Sequence, residues 1–194
     1  MISGPILRRR SVLGLAAGAM LPAAVTPAFA AGPACAGWLR ILTVGGLVGA
    51  PNRGALDPES DRLFNHYNIS FPKARVFSAG ELAGLPRKTV TANSYGRDIV
   101  ASGPLLQEVL ALAAPDAAAK TARLTALDGY NIEIALSDIE GQQWILAMED
   151  NGQGFAIGGL GPLYAMRQLG ADEKKTEEEE AKWVHSLFYI ELVP

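Results

Sequence analysis

The sequence predicts a single α+β domain in which β-structure dominates, and three observations carry that prediction. Short segments with β-branched content or apolar–polar alternation recur along the chain, each closed by Gly, Pro, Asn or Asp. Only residues 105–112 space their apolar side chains as one convincing helical face. Beyond residue 30 no repeat at a fixed period and no linker divides the chain, so one layered core is expected.

The first thirty residues stand apart from that domain. Arg8, Arg9 and Arg10 precede an uncharged run over residues 12–25, and Ala28-Phe29-Ala30 is a small-x-small cleavage site, the pattern of a bacterial export signal. The order Arg9-Arg10-Ser11-Val12-Leu13, with an apolar run poor in Leu and rich in Ala and Gly, fits the twin-arginine route. That run is shorter than the ~20 apolar residues a membrane span requires. Residues 1–30 are therefore expected to be removed, leaving residues 31–194 as one periplasmic domain with no membrane-spanning segment. The mature portion carries 14 Lys and Arg against 20 Asp and Glu, a balance that disfavours nucleic acid as a partner. Cys35 is the sole cysteine and has no partner for an internal disulfide. Gly32-Pro33-Ala34 before it lacks the Leu of a lipid-attachment motif.

Within the domain, residues 38–44 alternate with β-branched content and Gly45-Gly46 ends them, which predicts a first strand. Pro, Asn, Gly, Asp and Ser dominate residues 51–61, a surface loop, and residues 66–71 are expected to return as a strand. Ser78 followed by Glu81 is the signature of a capped short helix, closed by Gly84 and Pro86. Thr89, Val90 and Thr91 suit a strand, which Asn93, Ser94 and Gly96 turn into a polar loop bearing Tyr95. The helix over residues 105–112 stops at Pro115, and a helix or turn around residues 117–120 leads to a strand over 123–127. Asp128-Gly129 is a tight-turn pair feeding an alternating strand over 131–136. Residues 144–148 read as a short apolar strand, 150–154 as a turn, and 158–161 as a glycine-rich loop entering a further strand. Residues 172–180 are a charge run, with 177–180 a solvated helical turn, and 183–193 a long β-type segment.

Several familiar chemistries find no footing. Pro162 follows the glycine loop, no Lys-Ser/Thr pair accompanies it and a strand comes next, so neither a P-loop nor a dinucleotide fingerprint applies. His66 and His185 lack partners at metal-ligand spacing, and no serine sits in a Gly-x-Ser-x-Gly elbow. Asp128 and Tyr130 end one strand much as Asn93 and Tyr95 end another. Should these ends converge with Trp183 and the glycine loop, the result is a pocket with aromatic faces and oriented polar groups, suited to a planar heterocycle.

The order Leu42-Thr43-Val44-Gly45-Gly46, Phe77-Ser78, Leu85-Pro86, Val90-Thr91, Gly103-Pro104-Leu105-Leu106, Asp128-Gly129-Tyr130, Asn151-Gly152, Gly161-Pro162-Leu163 and Lys182-Trp183-Val184 resembles the molybdopterin-binding domain of the sulfite oxidase family. In particular it is similar to the short, exported, stand-alone members. Catalytic members hold molybdenum through a cysteine just after the strand that here is Val90-Thr91, where this chain has Ala92-Asn93-Ser94. The family's basic residue before Gly-Pro is replaced by Leu160. The resemblance thus implies a sulfite oxidase-like fold that binds a pterin as ligand without molybdenum and passes the signal to a membrane receptor such as a cyclic-di-GMP enzyme. A molybdopterin oxidoreductase and a structural or interaction domain are the alternatives. The residues carried over as ligand-binding are Asn93, Ser94 and Tyr95 in the loop, Asp128 and Tyr130 as edge and face contacts, Gly161 as a backbone approach and Trp183 as a stack.

Overall fold

The computed structural model describes residues 39–170, 172–173 and 175–194; the predicted export signal and Cys35 lie outside them. The β-branched opening segment forms strand β1 (Arg40–Gly46), which buries Leu42 and Val44. Antiparallel to it runs β2 (Arg75–Ser78), and parallel to it runs the C-terminal strand β11 (Leu187–Val193). Beyond β11 the sheet continues antiparallel through β5 (Thr121–Ala126) and β6 (Asn131–Ala135), giving the order β2-β1-β11-β5-β6.

A four-stranded sheet is built from β3 (Arg87–Ser94), β4 (Arg97–Pro104), β8 (Glu149–Asp150) and β9 (Gln153–Gly154) in that order. A two-stranded ladder pairs β7 (Trp144–Ala147) with β10 (Tyr164–Arg167). Five short helices connect these strands among the described residues: α1 (Arg62–His66), α2 (Ala79–Ala83), α3 (Leu106–Leu112), α4 (Leu136–Gly141) and α5 (Glu177–Ala181). The architecture is α+β and β-rich. None of these helices is long and apolar enough to cross a membrane.

Between the sheets lies one large core in which Leu42, Val44, Leu124, Ile190 and Leu192 meet Val90, Ile99, Leu106, Trp144 and Tyr164. A second cluster, Phe64, Phe71, Phe188 and Tyr189, binds the loop before β2. Phe64 and Phe71 meet edge to face at 5.5 Å, a contact worth about 0.5–1.5 kcal/mol beyond its burial. The predicted cap of α2 is complete: Ser78 Oγ accepts from the Glu81 amide at 3.1 Å, and the Glu81 carboxylate accepts from the Ser78 amide at 2.8 Å.

Four expectations are corrected. Residues 66–71 are not a strand; Phe64 and Phe71 both reach the second aromatic cluster only if the chain coils through α1 and a turn with Asn68 at φ 53°. Asn93 to Gly96 is not an open loop, because β3 pairs along its whole length with β4 around a two-residue turn. Tyr95 and Gly96 occupy that turn at φ 49° and 75°, the double positive φ that matches strand twist in a tight hairpin. The segment from Trp183 becomes a strand only at Leu187, since Ser186 at φ 52° breaks the extended run. Finally, 177–180 is helical but not wholly solvated: Glu179 is buried and accepts from Arg167 Nε at 2.6 Å.

Candidate functional site

Two turns, the helix α5 and the segment that follows it meet at one cavity. The Asp-Gly turn between β5 and β6 closes as its residue types demand: Gly129 takes φ 88° and Asp128 Oδ1 accepts from the Tyr130 amide at 3.0 Å. This spends one carboxylate oxygen of Asp128 on the turn and leaves Oδ2 facing His185, whose Nε2 lies 3.7 Å away. The β3–β4 hairpin presents Tyr95, whose backbone N–H donates to Glu180 Oε1 at 2.9 Å and thereby ties the hairpin to α5. Tyr130 makes a second tie, its hydroxyl donating to the Ala181 carbonyl at 2.5 Å.

These contacts enclose an open cavity of about 350 Å³, within the ~300–1,000 Å³ typical of small-molecule sites. Tyr95, Asp128, Tyr130 and Trp183 line it together with Glu177, Glu180, Ala181 and His185. The Tyr95 ring is 59% exposed and meets the His185 ring edge to face at 5.6 Å. Trp183 is buried, and its indole N–H finds no partner among the described residues. Lys175 Nζ lies 5.6 Å over that indole while it pairs with Glu180 at 2.6 Å and donates to the Asn93 carbonyl at 2.5 Å.

Electrostatically the site is acidic. The Lys175 ammonium, and then the Tyr95 amide, hold the Glu180 carboxyl below the usual glutamate range, so it is ionised at neutral pH. Partial burial, followed by the charges of Glu180 and Asp128, pushes the Tyr95 hydroxyl up. Burial raises Tyr164 more strongly. Both phenols are therefore neutral hydrogen-bonding groups.

Of the seven residues singled out from the sequence, the structure brings Tyr95, Asp128, Tyr130 and Trp183 to one cavity. Ser94 sits one layer behind, fully buried, with Oγ 2.8 Å from the Tyr164 hydroxyl; the Tyr164 ring in turn meets both Trp183 and His185 edge to face. Asn93 is exposed, donating its amide to Asp98 Oδ1 at 2.9 Å, and reaches the site through its carbonyl to Lys175. Gly161 is not among the cavity's lining residues: a Cβ there would meet the Phe155 backbone at 2.7 Å, so its close approach is to another strand of chain. The glycine loop instead braces the site from behind, Gly159 O and Leu160 O accepting from Ser186 Oγ and Ser186 N at 3.1 and 2.9 Å. Nothing in the sequence marks His185 or Glu180 for this cavity: the one stands alone as an isolated histidine, and the other is one of four consecutive glutamates.

The donor set decides which groups fit. At Ala92-Asn93-Ser94 there is no sulfur, and Ser94 is already engaged with Tyr164. Among the described residues no cluster of three His, Cys, Asp or Glu side chains is placed to hold a metal ion. Among the described residues the lining carries the carboxylates of Asp128, Glu177 and Glu180 and the imidazole of His185, and the nearby Lys175 is paired with Glu180. The lining offers, among the described residues, no thiolate for a metal and no uncommitted Lys or Arg for a phosphate, while Asp128 sets an acceptor beside the exposed rings of Tyr95 and Tyr130.

No protein-family model matches the chain, and no curated protein matches it either. Among solved structures it is similar to the sulfane dehydrogenase SoxCD from Paracoccus pantotrophus, with a TM-score of 0.53 and 15% sequence identity over 79% of this chain. The chain spans 38% of the length of that structure. At that identity the likeness is one of fold, and the domain has a distant sulfite oxidase-like α+β fold.

Proposed function

We propose that the chain is a periplasmic, non-catalytic pterin-binding protein of sulfite oxidase-like fold that reports ligand occupancy to a membrane receptor. The observation that carries this reading is the placement of the Asp128 carboxylate beside the rings of Tyr95, Tyr130 and Trp183 in one cavity of ligand size. Asp128 Oδ2, the oxygen that the turn leaves open, accepts an N–H donor from the pterin edge, and the exposed Tyr95 ring offers a stacking face. The export pattern of residues 1–30 supports the periplasmic assignment, and cleavage after Ala30 is checked by N-terminal sequencing of the exported protein.

Fluorescence titration with a pterin tests the site. A hydrogen bond to a charged group contributes about 1.5–3 kcal/mol, so Asp128→Asn is expected to weaken binding at least about tenfold. Unchanged affinity in that variant would remove Asp128 from the site. The likeness to sulfane dehydrogenase favours a second reading, a molybdopterin oxidoreductase. Metal analysis separates the two: a pterin-like absorbance without metal supports the binding protein, and stoichiometric molybdenum in the purified protein overturns it.

A further inference from the structure

His185 lies between Ser186 and Asp128, with one ring nitrogen toward each. Ser186 Oγ has one hydrogen, and the structure directs it to the Gly159 carbonyl at 3.1 Å. With that hydrogen so placed, Ser186 Oγ is an acceptor toward His185 Nδ1, 3.2 Å away, and the tautomer that satisfies both contacts is Nδ1–H. In the neutral ring this leaves a lone pair on Nε2, which faces Asp128 Oδ2 at 3.7 Å. Two acceptors then confront each other, and Asp128 Oδ2 is free for an outside donor. A second proton on the ring turns Nε2 into a donor aimed at that same oxygen.

We propose that His185 sets the occupancy of the cavity: a proton at His185 Nε2 and a donor edge of the ligand compete for Asp128 Oδ2, so that acid weakens the hold on a planar heterocycle. The competition rests on the pterin reading above, whereas the His185–Asp128 coupling stands without any ligand. The groups facing His185 from neighbouring elements leave this pair as the variable one. Tyr95 on the β3–β4 turn and Tyr164 on β10 are held neutral by their raised pKa values. Glu180 on α5 is fixed as an anion by Lys175. Tyr130 is committed to Ala181, and Glu177 is exposed on the first turn of α5.

Two measurements test the proposal. Imidazole nitrogen resonances of the ligand-free protein are followed from pH 5 to 8, the span over which histidines change charge. The expected result is an Nδ1–H tautomer in the neutral form and, in the doubly protonated ring, an Nε2 resonance that moves in Asp128→Asn while Nδ1 does not. An Nε2–H tautomer in the neutral form, or an Nε2 resonance indifferent to Asp128→Asn, overturns the coupling. Unsubstituted pterin is then titrated at pH 5.5 and 7.5 into wild type and His185→Gln, so that titration of the ligand itself cancels between the two proteins. The acid-induced loss of affinity is expected to be about two- to fivefold larger in wild type, the range carried by a partly exposed ion pair. Equal pH dependence in the two proteins refutes the competition. If pterin binds neither protein at either pH, the ligand reading fails and the competition with it, while the resonance measurement still decides the coupling.

Discussion

Ser94 has a single hydrogen-bond partner in the structure, the Tyr164 hydroxyl, and both groups lie out of water behind the cavity. Removing one leaves the other desolvated and unpaired, which costs about 1–3 kcal/mol. Ser94→Ala is therefore expected to lower stability by that amount in urea titration, and Tyr164→Phe on top of it is expected to cost less than it does alone. Additive losses would show that the two hydroxyls do not act as a pair. The same logic separates site residues that were legible in the sequence from those that were not. Asp128 and Tyr130 announce themselves because an Asp-Gly pair dictates its own turn and so orients both neighbours. Glu180 does not: four consecutive glutamates look alike until the helix takes a phase, which sends Glu179 inward to Arg167 and Glu180 to the Tyr95 amide. His185 is hidden for a related reason, since only the folded chain brings Asp128 to its Nε2.

At the level of elements, β4 shows what composition conceals. Turn-like pairs bound it, Tyr95-Gly96 before it and Gly103-Pro104 as its last two residues, yet it is buried through Ile99 and Ala101 and pairs with β3 and β8. Gly103 is there because β7 crosses close by: a Cβ at that position would fall 1.9 Å from the Leu146 carbonyl oxygen. The atom it would meet belongs to backbone and a Cβ has no rotamer of its own, so relief requires strand separation. Gly103→Ala is expected to destabilise by at least about 1–3 kcal/mol, the usual cost of overpacking, measured as a fall in the urea midpoint at unchanged slope. A neutral result would show that β4 and β7 can part without loss. By contrast, β1, α2, α3 and the β5–β6 hairpin follow directly from alternation, a capping pair, helical spacing and an Asp-Gly turn, because in each the local signal and the tertiary demand agree. Local and global demands part company at residues 62–71, where β-prone His66-Tyr67 and Ile69 yield to the need to bury Phe64 and Phe71 together.

For the whole molecule, the telling feature is the place of β11 in the sheet. It lies between β1 and β5 and so fills the middle of the five-stranded sheet, parallel to β1 and antiparallel to β5. It buries Leu187, Phe188, Tyr189, Ile190 and Leu192, five apolar side chains. At about 1.5–3 kcal/mol each these contribute roughly 7–15 kcal/mol, comparable to the entire net stability of a typical domain, about 5–15 kcal/mol. No partial sheet without β11 can compensate, since β1 and β5 would each lose a hydrogen-bonded neighbour and the second aromatic cluster would lose Phe188 and Tyr189. The cavity depends on the same strand, because Trp183 and His185 enter it from the segment that β11 anchors. A chain ending at Ser186 is accordingly expected to show no cooperative urea transition and no protected amides, although it retains every residue that lines the cavity. Cooperative unfolding of that truncated chain, with pterin binding preserved, would mean that the sheet closes without its central strand and that the site is built independently of it.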